Sequence, residues 1–122
     1  MPKRILIAES NAYLAETFTG LLTLLGFEVV GVSPNQSDII DQVQTFGPDL
    51  LVLDYDMERG DDKRPLIGIL KEKFPHLKIV ALGLQDAIED FTVFVKKAGY
   101  DGFWSKYASR EELLKALNLL FP

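Results

Sequence analysis

Leu50-Leu51-Val52-Leu53-Asp54-Tyr55-Asp56 is the stretch that decides how this chain reads. Four aliphatics in succession show no alternation of polar and apolar faces, which is the pattern of a strand covered on both sides. Asp54 follows at once, so a carboxylate stands at the carboxyl end of that strand. In an open parallel sheet the carboxyl ends of the strands border the crevice where ligands bind. A carboxylate placed there can ligate a metal, accept a phosphoryl group, or both.

The segments on either side alternate in kind. Arg4-Ile5-Leu6-Ile7-Ala8 reads as a short apolar strand, and Glu28-Val29-Val30-Gly31-Val32 as a second. Between them, Leu14, Phe18, Leu21, Leu22 and Leu25 fall at helical spacing, which predicts a helix from Asn11 to Leu25 stopped by Gly26. A helix from Ser37 to Phe46 points Ile39, Ile40 and Val43 inward and ends at Gly47-Pro48. After the central strand comes a polar loop, Glu58-Arg59-Gly60-Asp61-Asp62, then Pro65 opening a helix that carries Leu66, Ile67, Ile69, Leu70 and Phe74. Lys78-Ile79-Val80-Ala81-Leu82 is the fourth strand. Asp86 with Glu89 reads as a capping pair for a helix to Ala98, with Gly99 as its stop. Gly102-Phe103-Trp104-Ser105 is the fifth strand, and Ser109 with Glu112 forms a capping box for a helix from Arg110 to Leu120. Five strands alternating with five helices predict an α/β fold, a parallel sheet with helices on both faces. No linker, repeat or low-complexity stretch interrupts it, so the expectation is one domain over residues 1–122 without an output domain.

The composition narrows the chemistry. A hydrophobic fraction of 48% with 25% charged residues is ordinary for a soluble globular chain of 122 residues. The formal net charge of -5 argues against a direct nucleic-acid binder, which would carry a basic footprint. The chain has no cysteine, which excludes disulfides and thiolate chemistry. Glu9 ends the first apolar stretch too early for a signal peptide, and no run approaches the roughly 20 apolar residues of a membrane span. A cytoplasmic protein without membrane contact is the default.

The strand ends supply the candidate site. The first strand delivers Glu9 and Ser10, the third Asp54 with Asp56 just beyond, the fourth Gly83 and the fifth Lys106. With strands one and three adjacent, Glu9 and Asp54 become neighbours, and two close carboxylates raise each other's pKa unless a cation intervenes. Mg²⁺ suits one or two carboxylates completed by water and phosphate oxygens. A lysine across the cleft adds a point charge for the same phosphate. This set suits phosphoryl transfer to a carboxylate, with Asp54 attacking while metal and lysine neutralise charge.

The residues Arg4-Ile5-Leu6-Ile7-Ala8-Glu9-Ser10-Asn11, Pro48 to Met57, Ala98-Gly99-Tyr100-Asp101-Gly102-Phe103 and Ser105-Lys106 together resemble the receiver domains of bacterial two-component response regulators. The resemblance implies a flavodoxin-like sheet of order 2-1-3-4-5. It implies Asp54 as phosphoacceptor, Lys106 as its catalytic partner, Glu9, Asp54 and Asp56 as the Mg²⁺ site, and Gly83 and Phe103 as the switch positions. It implies a histidine kinase or phosphotransfer protein as donor, and a downstream protein partner met through the fourth helix, fifth strand and fifth helix. Enzymatic activity is then limited to self-phosphorylation and self-dephosphorylation at Asp54.

The departures from the family pattern matter equally. The family usually ends its first strand with two acids; Ser10 stands at the second and weakens the metal site, because a hydroxyl is a poorer ligand for a hard dication. Gly83 replaces a Ser or Thr whose hydroxyl bonds the phosphoryl group. Tyr107 replaces a proline whose bond is usually cis, so a trans bond is expected after Lys106. Glu58 replaces a proline after Met57, and Phe103 brings no hydroxyl to the aromatic position.

Each residue also has a plainer role. Asp54 could cap a loop, Glu9 could be a helix N-terminal acid, Ser10 polar filler or a cap for the first helix, and Lys106 a solvated strand-end residue. Of Phe103 and Trp104, one fills the core and the other is an exposed aromatic available to a partner. His76, the only histidine, is a solvated loop residue. Lys71-Glu72-Lys73 and Lys96-Lys97 read as solvated helix faces. Leu113, Leu114, Ala116, Leu117, Leu119 and Leu120 make a stripe broader than one buried face needs, with core as the first reading and a homodimer or partner surface as the second.

Two other functions compete. A pseudo-receiver, a binding module working without phosphorylation, is motivated by Ser10, Gly83 and Tyr107. A hydrolase resembling the haloacid dehalogenases is motivated by Asp54-Tyr55-Asp56, but that motif lies on the third strand, Glu58 is not the usual Thr or Val, and the chain is too short for a cap.

Overall fold

In a computed structural model that describes residues 2–57, 65–84 and 89–122, the quoted stretch becomes β3 (Leu50–Asp54), every residue of which is buried. Around it stand β1 (Arg4–Ala8), β2 (Glu28–Ser33), β4 (Lys78–Gly83) and β5 (Gly102–Ser105). All pairs are parallel and the order is β2-β1-β3-β4-β5, the flavodoxin-like topology that the sequence resemblance implies.

Five helices cover the sheet: α1 (Ala12–Leu24), α2 (Ile39–Phe46), α3 (Leu66–Lys73), α4 (Glu89–Ala98) and α5 (Arg110–Leu120). The period of two along each strand divides the core between the faces. Ile5, Ile7, Leu50 and Val52 face Phe18 and Leu22 of α1 and Leu113 and Leu117 of α5. Leu6, Leu51 and Leu53 face Val43 of α2, Ile67 and Leu70 of α3 and Val95 of α4. Side chains buried on this scale each contribute about 1.5–3 kcal/mol, so the central strand anchors both layers at once.

The ends of the elements follow local chemistry. Asn11, outside the helix, caps α1 by accepting the Leu14 N–H at 3.1 Å, so the cap is Asn11 and not Ser10, which is exposed. Gly26 and Gly99, at φ 94° and 112°, take the left-handed turn that ends α1 and α4. The second helix begins later than its spacing predicts, since residues Gln36–Asp38 form a 3-10 turn first. Pro65 is the N-cap of α3 rather than a residue of its first turn. The capping box of Ser109 and Glu112 forms, with both reciprocal bonds present. No peptide bond among the described residues is cis, so Tyr107 follows Lys106 in trans. The loop at 58–62 and the capping residue Asp86 lie outside the described residues.

Two surface expectations need correction, and a third divides. Lys71 is not a solvated lysine: its Nζ donates to Asp101 Oδ2 at 2.6 Å and to the Leu77 carbonyl at 2.8 Å, tying α3 to the approach of β5. Neither aromatic of β5 is freely exposed, because helices cover both faces of that strand; Trp104 is 4% exposed among the α1/α5 core and Phe103 is half-buried against the other layer. The broad stripe of α5 splits, with Leu113 and Leu117 in the core, Ala116 and Leu120 partly buried, and Leu114 and Leu119 exposed.

Candidate functional site

The carboxyl ends of β1, β3 and β5 bring Glu9, Asp54 and Lys106 together. Each position is set by backbone pairing. The Glu9 amide donates to the Ser33 carbonyl at 3.1 Å, extending the ladder of β1 by one residue. The Lys106 amide donates to the Gly83 carbonyl at 2.8 Å and extends β5 in the same way. Lys106 Nζ then lies 2.8 Å from Glu9 Oε1 and 3.3 Å from Asp54 Oδ2. The side chains of Lys106, Glu9 and Asp54 are 7%, 1% and 4% exposed, so the three charges interact with little screening by water.

Backbone amides hold the other carboxylate oxygens. The Asn11 N–H donates to Glu9 Oε2 and the Asp56 N–H to Asp54 Oδ1, both at 3.1 Å. Glu9 Oε1 is buried, with the Lys106 ammonium at 2.8 Å as its partner. Asp56 itself is exposed; what it brings to the cluster is its amide. Among the described residues, no group of three or more acidic, histidine or cysteine side chains is arranged to enclose a metal ion.

The protonation of the cluster follows from this geometry. Burial pushes the Asp54 carboxyl up, and a hydrogen bond with Glu9 adds to it; the Asp56 amide pulls it back, Glu9's charge pushes again, and Lys106's charge offsets only part of the rise. The result is about 6, against an ordinary 3.8. Burial also acts to raise Glu9, but the bond with Asp54, the Lys106 ammonium and the Asn11 amide outweigh it and hold that carboxyl low. For Lys106, burial works against the charge, and the two carboxylates overcome it and raise the ammonium pKa. The pair of acids therefore keeps one proton on Asp54 until the pH passes about 6.

At the neighbouring strand end, Gly83 and Phe103 fit each other. A Cβ on Gly83 would stand 3.0 Å from Phe103 Cε2 and 3.2 Å from Cζ, so the ring lies over the space a side chain would take. Gly83→Thr is expected to displace the ring and cost about 1–3 kcal/mol. Urea melts, together with the aromatic proton shifts of Phe103, measure both effects; unchanged ring shifts would show that the contact does not constrain Phe103.

The remaining surfaces are modest. A hollow of about 280 Å³ between β5 and α5 is lined by Phe103, Trp104, Tyr107, Glu112, Leu113 and Ala116. Among the described residues no helix is long and apolar enough to cross a membrane.

The comparisons with known proteins agree with the fold. The family model described as the response regulator receiver domain matches residues 5–118. The oxygen regulatory protein NreC of Staphylococcus haemolyticus is 28% identical over 119 residues, covering 97% of this chain and 54% of the relative. The chain thus spans about half the length of the curated relatives it matches. The fold is shared with the signal receiver domain of the putative response regulator NarL from Mycobacterium tuberculosis, at a TM-score of 0.82 and 21% identity, over 98% of this chain and 95% of that one. It is shared too with a chain of the CheX–CheY complex of Borrelia burgdorferi, solved with beryllofluoride and Mg²⁺, at a TM-score of 0.85 and 16% identity, over 100% and 91%.

Proposed function

The chain belongs to the response regulator receiver domain family of two-component systems, and from that premise we propose that Asp54 accepts a phosphoryl group from a phosphohistidine of a kinase or phosphotransfer protein. The observation that carries the reading is the convergence of Asp54, Glu9 and Lys106 within ion-pairing distance at one rim of the sheet. An Asp54 carboxylate oxygen attacks phosphorus as the P–N bond breaks; the imidazole nitrogen keeps the electron pair and takes a proton from water. Lys106 Nζ stands beside the oxygen that gains a phosphoryl neighbour and neutralises the charge that arrives with it.

The residues fit Mg²⁺. Glu9 and Asp54 are two adjacent buried carboxylates, the number this ion accepts when water completes its shell. Glu9 and Asp54 would hold the ion, with Asp56 at the outer edge of the cluster. When bound, it supplies positive charge to the phosphoryl oxygens. Ser10 is exposed and leaves the metal one carboxylate fewer than the family pattern provides.

Downstream, the hollow between β5 and α5 and the half-buried Phe103 at its edge form a surface for a protein partner. Gly83 offers the phosphoryl group no hydroxyl, so the connection from Asp54 to that surface runs through the β4 backbone and the ring resting on it.

Acetyl phosphate with Mg²⁺ tests the reading. Mass spectrometry should find one phosphoryl increment, absent in Asp54→Ala. Beryllofluoride with Mg²⁺ should shift amides around Asp54 in the wild-type chain alone. Absence of both responses, or their persistence in Asp54→Ala, refutes the assignment and favours a module that binds without phosphorylation.

A further inference from the structure

A cavity among the described residues lies at the opposite end of the sheet from the acids. It has a volume of about 530 Å³, inside the range of sites that hold small organic ligands. Val43, Pro48 and Leu77 are its buried apolar lining, and Phe74 and Phe121 add half-buried rings. β3 starts beside it, and Asp54 closes the same strand about 15 Å away at the rise of an extended chain. The phosphoacceptor chemistry makes no use of this space.

Its charged lining is unequal. Lys3 and Lys78 border it against a single acid, Asp49. Asp49 Oδ2 is already engaged, accepting the Arg4 N–H at 2.8 Å. Lys3 Nζ stands 5.1 Å over the centroid of the Phe121 ring, which holds the cation at the border of the cavity. Two lysines at the border of an apolar lining suit an apolar body with a negative group at its edge. The flat faces of Phe74, Phe121, Pro48 and Pro75 suit a ring system better than a flexible chain.

We propose that this cavity at the amino edge of the sheet is a binding site for a small aromatic carboxylate, its ring among Phe74, Pro48 and Phe121 and its carboxylate against Lys3 and Lys78. The site is independent of phosphorylation at Asp54.

The test uses the whole chain labelled with ¹⁵N and titrated with 1-naphthoate. The amides of Gly47, Asp49, Leu77 and Lys78 should shift together and saturate as one site. The neutral analogue 1-naphthalenemethanol should bind at least about tenfold more weakly, the loss expected for one charge-assisted contact. The double variant Lys3→Glu/Lys78→Glu should lose the response, while Lys78→Arg should keep it. Saturation that is absent at millimolar naphthoate, equal affinity for the neutral analogue, or undiminished binding by the double variant overturns the proposal. The comparison of the two ligands needs only the wild-type chain, so it decides the matter even if the charge-reversed variant fails to fold.

Discussion

Replacing Asp54 by asparagine is expected to stabilise the protein at pH 7.5 while abolishing its phosphorylation. The side chain is 4% exposed, and its proton is held at about 6 instead of the ordinary 3.8. A raised carboxyl pKa means that the folded state holds the proton more tightly than the unfolded chain does. The resulting stability is fully present below about pH 3.8 and is lost as the pH rises through about 6. By linkage, the loss is worth about 3 kcal/mol at its upper bound. An amide in place of the carboxyl has no such proton to lose, and it leaves Lys106 paired with Glu9 at 2.8 Å. Urea melts should therefore show Asp54→Asn more stable than wild type by about 1–3 kcal/mol at pH 7.5, with the advantage shrinking towards pH 4. Glu9 carries the opposite sign, since its lowered pKa adds stability above its ordinary 4.5 that is lost as the pH falls. The bond with Asp54 is one cause of that lowering, so the two contributions are not independent. A destabilised Asp54→Asn at pH 7.5 would mean that the buried carboxylate is stabilised rather than strained.

Lys106→Met should act in the other direction and more strongly. Methionine keeps the apolar stem and removes the one cation within 4 Å of both Glu9 and Asp54 among the described residues. Removing one partner of a buried ion pair costs about 3–5 kcal/mol, because the charge left behind has neither water nor counter-ion. The cost should be greatest at pH 7.5, where both acids are ionised, and smaller near pH 5, where they share a proton. Millimolar Mg²⁺ should return part of the loss by taking the ammonium's place between the carboxylates. Equal destabilisation at both pH values, untouched by Mg²⁺, would show that Lys106 serves packing and not charge.

The sequence carried the frame of this site because each strand announces its own end. Four buried aliphatics and then an acid could only put Asp54 at a carboxyl edge, and the parallel order put Glu9 and Lys106 beside it. What it could not carry are contributions from atoms that every residue has. The amides of Asn11 and Asp56 orient both carboxylates, and no side-chain pattern distinguishes them from other amides. Alternation along β5 told that Phe103 and Trp104 point opposite ways but not that both faces are covered. Lys71 looked solvated because its partner Asp101 lies thirty residues away in sequence, on a turn that only the assembled sheet brings near. The amino-edge cavity is a space between loops, and no motif encodes it.

The strand order has a consequence for motion. β3 has neighbours on both sides, whereas β5 is a four-residue strand at the margin with a ladder on one side only. Amide protons of β3 should therefore exchange with solvent slowest and those of β5 much sooner, since marginal strands open in smaller steps than central ones. On that order the acceptor lies on a strand paired on both sides, and its lysine just beyond a marginal one. A partner that grips β5 from outside could withdraw the ammonium and so set the lifetime of the phosphoryl group without reaching Asp54 itself.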